Sequence, residues 1–116
     1  MLKRITILFV SVALSFLWGT TTFAEGSFVL KRIKERGTIN MGHRESSVPF
    51  AYIGSDGKPI GYSIDLCMKV IDAVKKEIGV SNLKINYVPV TSQTRIALMA
   101  NGTIDIECGS TTNNLT

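Results

Sequence analysis

The sequence predicts an α/β domain built on a largely parallel sheet flanked by helices. Three observations lead there. Short apolar or alternating segments are interleaved with segments of helical period, in the order strand, hairpin, helix, strand, helix, strand. Glycines close the first two helical segments, at Gly37 and Gly79. The polar residues best suited to hold a ligand fall just after three of the strands, the edge at which such sheets bind ligands.

The first 24 residues are set aside. Lys3 and Arg4 form a short basic start, Ile5 to Trp18 is almost wholly apolar, and Thr22-Phe23-Ala24 offers small residues where a signal peptidase reads. This pattern fits a secretory signal cleaved after Ala24, and the apolar run is short for a membrane span. A lobe of 92 residues remains, from 25 to 116. Loss of Lys3 and Arg4 lowers the formal net charge from +4 to +2, so a polyanion-binding surface is not supported and no nucleic-acid partner is expected.

Phe28 to Arg36 carries Phe28, Val29, Leu30 and Ile33 among basic residues and reads as a helix with a solvated basic face, stopped by Gly37. Thr38 to Gly42 reads as a strand. Residues 50–53 and 59–62 flank Ser55-Asp56-Gly57-Lys58, whose Asp-Gly pair marks a hairpin turn. Ser63 is placed to cap the next helix, with Asp65 in its first turn and apolar residues at 67, 70, 71, 74 and 78. Leu83 to Val88 alternates as a strand. Gln93 to Ala100 reads as a short helix that Ser92 can cap, and Ile104 to Cys108 as the last strand.

Cys67 and Cys108 are the only cysteines. An exported chain permits one disulfide, but the spacing does not fix their separation, and Cys67 also suits an apolar helix stripe as a small buried thiol. The reading favours two unpaired thiols, with the disulfide as the alternative. His43 is the only histidine, and no cofactor or metal is expected.

Arg44 and Arg95 are the cations expected at the ligand edge. A guanidinium presents a planar fork that matches a carboxylate in two charge-assisted hydrogen bonds. The structural alternative is that both pair with Glu45, Glu107 or solvent. Ser92 sits beside Arg95 in Thr91-Ser92-Gln93-Thr94-Arg95. Gly109-Ser110-Thr111-Thr112-Asn113-Asn114 is small and polar enough to cradle a charged group, and it lacks the Gly-Lys-Ser/Thr ending of a phosphate-binding loop. No nucleophile elbow or Ser/His/Asp ordering stands out. Asp105 and Glu107 alternate along a strand, which suits ion-paired or solvated roles better than an acid–base pair.

Taken together, Gly42-His43-Arg44-Glu45-Ser46-Ser47-Val48-Pro49-Phe50, Gly61-Tyr62-Ser63, Thr91-Ser92-Gln93, Arg95-Ile96, Asn101-Gly102-Thr103 and Glu107-Cys108-Gly109-Ser110-Thr111-Thr112-Asn113-Asn114 resemble the glutamate/aspartate receptors among the periplasmic solute-binding proteins of polar amino-acid ABC transporters (solute-binding protein family 3). The resemblance implies the first lobe of a type II periplasmic binding protein fold. It implies a monomeric, non-enzymatic receptor that captures L-glutamate or L-aspartate and delivers it to an inner-membrane ABC permease. Arg44, Ser92 and Arg95 are similar to the residues that hold the ligand's side-chain carboxylate. Ser110 and Thr112 are similar to those that meet its α-ammonium and α-carboxylate.

Receptors of this kind continue into a second lobe, with an arginine for the α-carboxylate just after the Ser-Thr-Thr-Asn-Asn run. The expectation from sequence is therefore a first lobe truncated before the second. Two alternatives are a truncated lobe without function and a periplasmic enzyme on the same fold, such as a dehydratase. The enzyme needs a placed general acid or base, and the residues offer none.

Overall fold

The computed structural model describes residues 25–114. The leader expected over 1–24 lies outside the described residues.

Helix α1 spans Glu25–Arg36. It buries Ile33 and partly buries Val29 and Leu30, as their spacing requires. Gly37 ends it at φ 66°. The basic face is not uniformly solvated. Lys31 and Lys34 are exposed, whereas Arg32 and Arg36 both pair with the carboxylate of Asp105, Arg32 Nη2 at 2.7 Å from Oδ1. The Asp105 side chain is wholly buried and also accepts the backbone N–H of Asn40 at 2.8 Å. Its charge is thereby matched on three sides.

Strand β1, Thr38–His43, is the centre of the main sheet. On one side it pairs in parallel with β5, Lys84–Pro89; on the other, with β6, Ile106–Cys108. Ile39 and Met41 are buried on β1 against Ile33, Ile71 and Cys108 in the core. A second, antiparallel sheet is made of β2 (Ser46–Ser47), β3 (Ala51–Ile53) and β4 (Pro59–Ile60). β3 and β4 form the expected hairpin, with Gly57 at φ 75° and Asp56 Oδ1 accepting the N–H of Lys58 in the turn. β2 extends it with a strand too short to have a period of its own.

Helix α2 covers Tyr62–Ile78 and buries Ile64, Cys67, Ile71 and Ile78. Val70, expected on the buried stripe, is half exposed. Gly79 closes the helix in the left-handed conformation, and Val80 N–H donates to Lys75 O. The helix does not use Ser63 as its cap. Gly61 holds the cap position at φ 127°, where a Cβ would run into the backbone carbonyls of Phe50 and Pro49, and no side chain caps the helix.

Helix α3, Arg95–Ala100, begins two residues later than its pattern suggested. The preceding turn is built by Thr91 and Thr94, each accepting the other's backbone N–H through its hydroxyl, at 3.0 and 3.2 Å. That reciprocal pair makes a cap by Ser92 unnecessary, and Ser92 is engaged elsewhere. The last strand is also shorter than expected: Ile104 N–H turns to Leu98 O, Asp105 N–H reaches Asn40 O, and the register pairs with β1 run from Ile106 to Cys108.

Cys67 and Cys108 form a disulfide, with Cα atoms 6.2 Å apart, which corrects the reading of two free thiols. The reason is tertiary. α2 crosses the end of β6, so a residue on its buried stripe meets the last residue of that strand, 41 positions away in the chain.

Candidate functional site

The register of the parallel sheet makes the site. His43 is paired with Pro89 on β5 and with Cys108 on β6, so all three strands finish level. The residues that follow, Arg44, Val90–Thr94 and Gly109–Asn114, therefore lie along one edge. This is the carboxyl edge at which the sequence reading placed its candidates.

Arg44 is half-buried and joins the three loops. Its Nη1 donates to Ser92 Oγ at 2.5 Å, reaching the loop after β5. Its stem lies against the loop after β6: a Cβ added to Gly109 would stand 2.8 Å from Arg44 Cγ and would also collide with Glu107 Oε1. The glycine is thus required by close approach, not by backbone conformation.

Arg95 opens α3. Its Nε and Nη1 are buried and have no hydrogen-bond partner. Among the described residues neither Arg44 nor Arg95 takes part in an ion pair, so the pairing with Glu45 or Glu107 that sequence left open does not occur. Two guanidinium groups without a counter-charge, one of them with desolvated N–H donors, form a demand for an anion.

Ser110 and Thr112 line a cavity of about 240 Å³ together with Phe50, Tyr62, Ser63 and two loop neighbours. Neither side chain makes a hydrogen bond within the described residues, so both hydroxyls are available. Arg44 and Ser92 are brought into contact. Arg95 makes no hydrogen bond to either of them, and the cavity of Ser110 and Thr112 is not lined by the arginines.

Sequence reasoning placed Glu107 at this edge only as an ion-pair partner for the arginines or a solvated carboxylate, and gave Ser63 and Tyr62 no role in holding the loop. Ser63 Oγ donates to Gly109 O at 2.7 Å, and Glu107 Oε2 accepts from Thr111 Oγ1 at 2.7 Å. The signal for Ser63 was masked by its position at a helix start, where a serine is ordinarily a cap. Asp105 and Glu107 part company: the first serves the α1 ion pairs, the second the loop after β6.

The comparisons agree with this architecture. Residues 39–116 match the model for "Bacterial extracellular solute-binding proteins, family 3". Over 86 residues the chain is 65% identical to an L-glutamate/L-aspartate-binding protein of Pseudomonas aeruginosa, covering 73% of this chain and 28% of that protein. It is 50% identical over 92 residues to a glutamate/aspartate import solute-binding protein of Escherichia coli K12, covering 79% of this chain and 30% of that one. Among solved structures it superposes on an ancestral cationic amino acid solute-binding protein with a TM-score of 0.58 and 32% identity, over 73% of this chain and 34% of the other. The chain spans less than a third of the length of these two curated relatives. The lobe has the type II periplasmic binding protein fold. On the family match and the shared fold, this chain belongs to family 3 of the bacterial extracellular solute-binding proteins.

Proposed function

We propose that this chain is the first lobe of a periplasmic receptor for acidic amino acids, L-glutamate and L-aspartate. It is exported by a signal cleaved after Ala24, acts as a monomer and delivers its ligand to an inner-membrane ABC permease. The observation that carries the reading is the pair of arginines at the strand edge without a counter-charge, with two N–H donors of Arg95 buried and unpartnered. A side-chain carboxylate supplies the missing charge and acceptors. An amide supplies one acceptor and no charge, so it leaves the site partly unpaired.

In this reading Arg44, Ser92 and Arg95 receive the side-chain carboxylate, and Ser110 and Thr112 meet the α-ammonium and α-carboxylate. The names of the relatives from Pseudomonas aeruginosa and Escherichia coli support the ligand class. A second lobe closing over this edge supplies the remaining contacts in the full receptor. The lobe by itself then binds in the millimolar range, about −4 kcal/mol.

The test is a titration of the ¹⁵N-labelled chain with L-glutamate, L-aspartate, L-glutamine and L-lysine, followed by NMR. Amides at Arg44, Ser92, Arg95, Ser110 and Thr112 shift with the two acids, more weakly with glutamine and not with lysine. An equal response to glutamine removes the acid specificity, and silence with all four removes the binding reading.

A further inference from the structure

The loop after β6 is tied down at several points around its start. Glu107 Oε2 accepts from Thr111 Oγ1 at 2.7 Å, Cys108 is bonded to Cys67, and Gly109 O accepts from Ser63 Oγ at 2.7 Å. Gly109 is also flanked by the Glu107 carboxylate and by the stem of Arg44. On either side of Thr111, Ser110 and Thr112 line the cavity without making a hydrogen bond inside the described residues.

We infer that Glu107 and Ser63 are positioning residues. Their hydrogen bonds set the loop so that the Ser110 and Thr112 hydroxyls are already presented when a ligand arrives. Glu107 is well placed for this. Its Oε1 is buried without a partner, so the bond from Thr111 to Oε2 is the one hydrogen bond its carboxylate makes among the described residues. Its other oxygen then gives Thr111 a fixed acceptor. Ser63 works from the opposite side: it stands in the first turn of α2, beyond the Gly61 cap, and its hydroxyl turns to the loop, which anchors Gly109 to a rigid helix. Pre-arranged hydroxyls spare the ligand the entropy of ordering the loop on binding. The effect on affinity rests on the acidic amino-acid reading above; the effect on loop order does not.

The experiment measures backbone order parameters of Ser110 and Thr112 by ¹⁵N relaxation, in the ligand-free chain and in Glu107→Ala, Glu107→Gln and Ser63→Ala. Glutamine keeps an acceptor for Thr111, so Glu107→Gln should retain rigid values of about 0.85, while Glu107→Ala and Ser63→Ala fall towards 0.6. In the glutamate titration the two alanine variants weaken the response at least fivefold, and the glutamine variant does not. Wild-type order in both alanine variants overturns the inference. Equal loss of order in Glu107→Gln and Glu107→Ala also overturns the role given to the Glu107–Thr111 bond. If Glu107→Ala does not fold, Ser63→Ala decides the matter. A wild-type chain that ignores glutamate yet shows the expected changes in order refutes the ligand reading and leaves the positioning roles standing.

Discussion

Arg44 Nη1 donates to Ser92 Oγ across 2.5 Å, joining the loop after β1 to the loop after β5, two residues 48 positions apart. It is the one side-chain hydrogen bond that Arg44 makes among the described residues, so its other N–H groups have no partner there. A serine acceptor holds the arginine in place without neutralising it. A carboxylate in the same position would have spent its charge.

Replacing Arg44 by alanine is expected to weaken the response to L-glutamate at least tenfold. Each charge-assisted hydrogen bond to a carboxylate is worth roughly 1.5–3 kcal/mol. The fold should hold, because Arg44 has no ion pair among the described residues. Arg95→Ala should act in the same direction. Circular dichroism beside the NMR titration separates the two effects, and an unchanged titration for either variant takes that arginine out of the site.

Gly109→Ala places a methyl group against Arg44 Cγ, at 2.8 Å, and against the Glu107 carboxylate. The loop or the arginine must move, at a cost of about 1–3 kcal/mol by analogy with overpacked cores. A lowered urea midpoint together with shifted Arg44 and Ser92 resonances is the expected result. A variant as stable as wild type, with those resonances unmoved, shows that the contact yields freely.

The Cys67–Cys108 bond closes a loop of 41 positions in the chain. The chain-entropy relation assigns such a loop about 4 kcal/mol of stabilisation. That is a large share of the roughly 5–15 kcal/mol by which domains are stable. The double variant Cys67→Ser, Cys108→Ser should therefore show a much lower denaturant midpoint than the oxidised chain, or be unfolded. Added reductant should bring the wild-type chain towards the same curve. Coincident curves with and without reductant contradict this expectation.

Asp105→Ala strips Arg32 and Arg36 of a shared, wholly buried partner and leaves the N–H of Asn40 without its acceptor. Breaking a buried ion pair costs about 3–5 kcal/mol, and the low end applies because both arginine side chains are about a third exposed. The loss lies at the α1 end of β1, away from the ligand edge. Stability should fall while the pattern of glutamate-shifted amides in the folded fraction is kept. Loss of that pattern would show that the two ends of the sheet are coupled.

Much of the fold was legible in the sequence because its signals are local. The helical period, the glycines at 37 and 79 and the Asp56-Gly57 turn are properties of short windows, and each stands where the pattern put it. The three-loop edge was legible for the same reason, since strand order and loop composition are read along the chain. Residues with two local uses were misread. Ser63 and Ser92 look like caps, yet Gly61 and the Thr91–Thr94 pair occupy those ends of the helices, and the two serines bond across the fold instead.

The sequence by itself determined the α/β alternation, the carboxyl-edge location of the polar loops and the family resemblance. All of these depend on residue type and spacing alone. Tertiary structure alone decided which distant residues meet: Cys67 with Cys108, Arg32 and Arg36 with Asp105, Arg44 with Ser92, and Ser63 with Gly109. Those pairings depend on how α1 and α2 lie on the sheet and on the level strand ends of β1, β5 and β6. Packing of whole elements sets those distances, and no short window of sequence contains them.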